Sequence, residues 1–201
     1  MPRRIDPELE NNILQAARRL WREGGEKALS MRAVAKAAGT NTPAVYRRFK
    51  RREEILLALV QLFQKEIREL FEPCRSIAEI AQTYLNFALS RPREYELMMS
   101  GLLARMTDER PNIDLVLSRV ADWHGGTPEE HEALVFTLYC LLHGCALLNI
   151  TGSTAVRGSP KVNPAVKRAV EILVANEEQL RTSRGDQGKD RLPKAGPPPA
   201  C

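Results

Sequence analysis

The chain has 201 residues, of which 43% are hydrophobic, 27% charged and 5% aromatic. That length accommodates one large or two small domains at about 150 residues each. The composition excludes wholesale disorder, and a chain of this size buries a core without disulfide or metal staples. The net charge of +5 is unevenly spread. Residues 1–55 hold 13 basic and 7 acidic side chains, residues 56–181 hold 13 and 16, and residues 182–201 hold 4 and 2. A basic first quarter joined to a slightly acidic remainder indicates a module that meets a polyanion, attached to one with another task.

Nearly every segment reads as helix, and the predicted fold is all-α. Asp6-Pro7 is an N-cap followed by proline at the first helical position. Ile13, Ala16, Ala17, Leu20 and Trp21 follow helical spacing, and Gly24-Gly25 ends the segment. Ser30 caps a second helix with an inward face of Met31, Val34, Ala35 and Ala38, which Gly39 stops. Asn41 caps a short third helix carrying Val45 and Phe49 on one face. A fourth, from about Arg52, carries Leu56, Leu59, Val60, Phe63, Ile67 and Phe71, a stripe long enough to connect two parts of the protein. Beyond Pro73, helices are expected at about 74–90, 93–107 and 111–123. Thr127 then caps, with Pro128 opening a long apolar helix over 128–151. A Gly/Ser/Pro stretch, 152–164, precedes a last amphipathic helix over 164–180. The division is 1–52, 53–181 and a tail, 182–201, expected to be disordered.

Cys74, Cys140, Cys145 and Cys201 form no C-x-x-C pair, and Cys140 and Cys145 point about 140° apart on a helix. Free thiols in a reducing cytoplasm follow, with no disulfide framework or zinc knuckle. The N-terminus lacks the apolar run of a signal peptide. Leu134–Ile150 is at the short edge of a membrane span, yet it contains His143, Gly144 and Asn149 and has no basic flank close by. A covered helix in a soluble protein or dimer fits it better than a membrane.

The sharpest signal runs from Ser30 to Arg52: a capped helix, a glycine turn and a second short helix, the pattern of a helix-turn-helix. Ala35 and Ala38 are small where the helices must approach, and Gly39 can take the left-handed conformation that reverses the chain. Tyr46, Arg47 and Arg48, then Lys50, Arg51 and Arg52, place a hydroxyl and five cations in seven residues, a footprint for phosphate contact. The leading positions Thr42, Pro43 and Ala44 keep the second helix slim enough for a major groove. Arg32 on the preceding helix joins the candidate contacts.

These residues carry a resemblance. The first helix ending in Gly24-Gly25, the run Leu29–Gly39, the segment Asn41–Tyr46 and the segment Phe49–Leu56 together resemble the DNA-binding domain of the tetracycline-repressor-like (TetR) family. The resemblance implies a homodimeric repressor with a variable ligand-binding domain behind its DNA module. It implies DNA contacts from Ser30, Thr42, Pro43, Ala44, Tyr46 and Arg52; Asn41, Arg47 and Arg48 join the candidates from the cap and the cation cluster themselves. Thr40 stands where the family usually has an apolar residue, and Arg52 where it usually has lysine, which keeps the charge and adds a fork geometry.

The remaining two-thirds is expected to bind a small molecule and to hold two subunits together. The apolar helix over 134–150 and the last helix, with Val162, Val166, Val170, Ile172, Leu173 and Val174, would form a four-helix bundle with a second copy. The segments Trp123-His124-Gly125 and Leu142-His143-Gly144 resemble C-terminal domains of some relatives. Candidate effector contacts are Tyr84, Phe87, Met98, Met99, Leu102, Trp123, Tyr139 and His143. No metal, cofactor or catalytic residue is expected, because the histidine spacings place no ligand set on one face. The predicted function is a cytoplasmic, effector-released repressor of a palindromic operator. Its rivals are a helical metal-dependent enzyme and a helical adaptor that binds no DNA.

Overall fold

The computed structural model describes residues 7–102, 110–152 and 162–180. Asp6, the end of the helix expected over 93–107, the centre of the 152–164 stretch and the tail after Arg181 lie outside the described residues.

Three helices open the chain: α1 Pro7–Gly24, α2 Met31–Ala37 and α3 Thr42–Arg48. Ile13, Ala16 and Ala17 of α1, Val34 and Ala35 of α2 and Val45 of α3 are buried, because each helix has only one apolar stripe and the three must share it. Helix α4, Arg52–Phe71, sets Ile55, Leu56, Leu59, Val60, Phe63, Ile67 and Phe71 on one buried stripe. At 1.5 Å per residue it extends about 30 Å, enough to serve both halves of the molecule. Its stripe belongs to one continuous apolar core that runs from Ile13 to Val170.

Helices α5 Ile77–Ser90, α6 Pro92–Met98, α7 Pro111–His124, α8 Glu132–Ile150 and α9 Val162–Ala175 complete the described elements, and no strand occurs among them. Helix α5 is central, packing against α4, α6, α8 and α9. Several expected boundaries shift. Ser76, rather than a residue near 74, starts α5, its hydroxyl accepting from the Glu79 amide at 3.2 Å. Helix α6 is only seven residues, closed by the Ser100 amide on the Leu97 carbonyl and by Gly101 at φ 71°. Thr127 makes no side-chain cap, and Pro128–His131 forms a 3-10 turn that feeds α8.

Residues 128–150 are long and apolar enough by composition to cross a membrane. In the fold this segment packs on α5, α7 and α9. The three described cysteines are free: Cys74 and Cys145 are buried and Cys140 is exposed, as the five-residue separation of the last two requires.

Candidate nucleic-acid interface and buried cavity

The turn between α2 and α3 works through Gly39, whose φ of 65° is the left-handed conformation that other residues adopt only with strain. There the Gly39 and Thr40 amides donate back to Lys36 and Ala35 carbonyls at 3.2 and 3.0 Å. Both flanking helices are capped from the chain itself. Ser30 Oγ accepts from the Ala33 amide at 3.1 Å, and Asn41 Oδ1 accepts from the Ala44 amide at 2.9 Å. Capping fixes each helix start and leaves remaining amide donors at its positive end.

Helix α3 is two-faced. Val45 and the adjoining Phe49 are buried, while Asn41, Pro43, Tyr46 and Arg47 are exposed, Tyr46 at 51%. An exposed tyrosine of that size beside Arg47, Lys50 and Arg51 is an apolar and hydrogen-bonding surface fringed by cations. Ser30 and Arg32 of the preceding helix are exposed, and Thr42 and Arg48 are half-buried. Ala44 departs from the expectation. At 3% exposure its methyl group packs inward rather than toward solvent. Arg52 is also committed elsewhere, donating to Glu26 at 2.7 Å and so tying the start of α4 to the turn after α1.

A buried ionic cluster joins this module to the rest. Arg18 of α1 forms a bidentate pair with Glu66 of α4 at 2.6 and 2.7 Å, and its Nε donates to Glu94 of α6 at 2.9 Å. Arg22 donates to the same Glu94 oxygen, and Arg91 reaches Glu66 at 2.7 Å. Glu94 is 1% exposed. Burial opposes its charge, but hydrogen bonds from Arg18 and Arg22, with their positive charges, outweigh burial and hold the carboxyl below the usual range. Trp21 Nε1 donates to the Arg93 carbonyl at 2.8 Å, adding a second link between α1 and α6.

On the far side of α4 lies a cavity of about 500 Å³. Gln64, Ile67 and Phe71 of α4 form one wall, with Ile80 and Tyr84 of α5, Met98 and Met99 at the end of α6, Asn112 and Val116 of α7, and Leu138 and Tyr139 of α8 around it. Of the eight expected contacts, Tyr84, Met98, Met99 and Tyr139 line this space. The other four are placed elsewhere. Phe87 is buried with the Arg91 guanidinium 5.3 Å over its ring, Trp123 and Leu102 pack on the core edge, and His143 stands behind Tyr95. The wall supplied by α4 was not foreseen. Its stripe reads as ordinary core, and no periodicity distinguishes a side chain facing a neighbour from one facing a void.

Behind the lining, Tyr84 and Tyr95 hydroxyls lie 2.7 Å apart and the Tyr95 hydroxyl is 2.6 Å from His143 Nδ1. Tyr139 stacks on the His143 ring and donates to Met99 Sδ at 3.3 Å. Burial pushes the Tyr84 and Tyr139 phenols up, takes Tyr95 up to about 12, and pushes His143 down. The set is therefore uncharged near neutrality. His131, fully buried, and His124 both meet Glu177, which pins the turn after α9 onto the end of α7. No group of three or more His, Cys, Asp or Glu side chains that could hold a metal occurs among the described residues.

Two family models match the chain. Residues 13–59 match the bacterial regulatory proteins of the tetR family, and residues 77–175 match the tetracyclin repressor-like C-terminal domain. The chain belongs to the TetR family. It is thus a DNA-binding transcriptional regulator, with an N-terminal helix-turn-helix domain and a C-terminal helical domain. The TetR from Acinetobacter baumannii AYE is similar in fold, with a TM-score of 0.65 at 20% identity over 90% of this chain and 100% of that one. A substituted form of that protein, in complex with minocycline, superposes equally well. A protein of unknown function from Rhodococcus sp. RHA1 gives a TM-score of 0.67 at 20% identity, again over 90% of this chain and 100% of that one. None of the curated protein sequences matches the chain.

Proposed function

We propose that this TetR-family regulator is a cytoplasmic, non-enzymatic repressor that binds a palindromic operator as a homodimer and is released by a small molecule in the cavity. One observation carries the reading. Two of the helices that wall the cavity, α4 and α6, also hold the DNA module. On α4, Ile67 lines the cavity while its neighbour Glu66 grips Arg18. On α6, Met98 lines the cavity one turn beyond Glu94, which grips Arg18 and Arg22. A ligand that parts α4 from α6 must therefore move α1, and α1 packs directly on α2. Release requires the effector to bind better where the two recognition helices are wrongly spaced, since equal affinity shifts no population.

The dimer reading is supported by α8 and α9. Leu148 and Ile172 remain exposed at 41% and 55%, and a second copy of the helix pair would cover them as a four-helix bundle. Two-fold symmetry matches the half-site geometry of an operator. Selection of bound duplexes from a random pool, followed by gel shift with candidate effectors, tests the reading. An enriched palindrome whose complex dissociates with a ligand supports it. A protein that binds no duplex DNA at low salt overturns it.

A further inference from the structure

The cavity's lining specifies the chemistry of its occupant, on the reading that it is the effector site. Its walls are mainly aliphatic, thioether and aromatic, with the neutral amides of Gln64 and Asn112, and no carboxylate lines it among the described residues. Arg110 is the charged side chain in the lining, and it is compensated at the rim. It pairs with Asp114 at 3.5 Å and Glu132 at 3.4 Å, and its guanidinium lies 5.4 Å over the Phe136 ring. A cationic ligand would find no counter-charge there, and the one arginine is already shared between two carboxylates in exposed pairs, which leaves an anion little net positive charge.

Another part of the lining is polar and neutral. The Tyr139 hydroxyl points at a thioether, a weak acceptor, at 3.3 Å. Its donated bond ends on a poor acceptor, and its other polar neighbour is the Tyr84 hydroxyl. Beside it, Tyr84, Tyr95 and His143 form a two-bond chain. If the protons run toward His143, Tyr84 keeps lone pairs for the Tyr139 hydroxyl or a ligand. If they run the other way, Tyr84 keeps a proton free. The pair of hydroxyls can therefore meet an oxygen as donor and, by reversing the chain, as donor or acceptor. Burial keeps all three phenols protonated near neutrality, so none presents a negative charge.

We infer that the effector is an uncharged, mainly apolar molecule whose buried end carries a carbonyl or phenolic oxygen, and that the Tyr139 hydroxyl reads this oxygen by exchanging Met99 Sδ for it. Tyr139 is then the residue that selects among apolar ligands of similar shape.

The test uses the full chain and three probes of one shape: benzophenone, diphenylmethane, which lacks the oxygen, and 4-benzoylbenzoate, which adds a charge. Binding is measured by equilibrium dialysis. Benzophenone is expected to bind about three- to tenfold tighter than diphenylmethane, the worth of one net hydrogen bond. Tyr139→Phe is expected to abolish that preference with diphenylmethane affinity unchanged. Met99→Leu, which deletes the hydroxyl's resting acceptor, is expected to keep or enlarge it. Equal binding of the ketone and the hydrocarbon, or tighter binding of the carboxylate, overturns the inference, as does failure of all three to bind. Duplex-DNA affinity of the same preparation, measured without probe, separates these outcomes from failure of the repressor reading.

Discussion

Replacing Glu94 by glutamine removes the one negative charge that α6 presents to α1 while keeping the side chain's size. Arg18, 13% exposed, loses one of its two carboxylates but retains the bidentate pair with Glu66. Arg22, 49% exposed, regains water when its partner is lost and contributes little. Breaking a buried pair from one side costs about 3–5 kcal/mol, and the surviving Glu66 pair brings this variant below that range, to about 2–3 kcal/mol. For a chain of this length that corresponds to a fall in Tm of roughly 5–10 °C. Thermal melts by circular dichroism at fixed protein concentration measure it.

The pH dependence supplies the second reading of the same variant. Glu94 has a lowered carboxyl in the folded chain. Its stabilisation is therefore fully present above the unfolded carboxyl's value of about 4.3, and is lost as pH falls through the lower folded value. The gap between parent and Glu94→Gln should stay constant from pH 8 to 6 and close below about pH 4. A loss under about 1 kcal/mol, or a gap that does not narrow in acid, refutes the assignment of Glu94 as the ionic centre of the junction.

Tyr46→Ala should weaken operator binding about tenfold, read by fluorescence anisotropy, with the melting temperature unchanged because the ring is exposed. Gly39→Ala should cost about 1–2 kcal/mol in chemical denaturation; a methyl group there meets no atom within 4 Å, so the cost is conformational alone. DNA affinity should fall log-linearly with salt, and Arg47→Ala should reduce that slope by about 1 if Arg47 neutralises one phosphate. Tyr95→Phe should destabilise by about 1 kcal/mol in denaturant melts, because it removes the hydroxyl that joins Tyr84 to His143 Nδ1.

The helix-turn-helix is legible in the chain because its determinants are local. Ser30 and Asn41 cap their own helices within three residues, Gly39 supplies a conformation that few other residues can, and Val45 with Phe49 declares one buried face. The cation cluster needs only its own sequence to be seen. The limits of local reading show at Ala44, which belongs to the leading positions of the helix by sequence and to its inner face by rotation.

The C-terminal half depends on distance in space. That Arg18 would meet Glu66 and Glu94, residues 48 and 76 positions away, follows only once α1, α4 and α6 are packed together. The same holds for the cavity. Met98, Met99, Tyr84 and Tyr139 are apolar or amphipathic residues at helical spacing, indistinguishable in sequence from Phe87 and Leu102, which do not line it. What the sequence by itself determined is what is settled within one or two helical turns: the capped starts at Ser30 and Asn41, the reversal at Gly39, the basic face and the all-α class. What the tertiary structure decided is which stripe meets a neighbour and which meets empty space, because a void is a property of several helices' relative placement and has no residue type of its own.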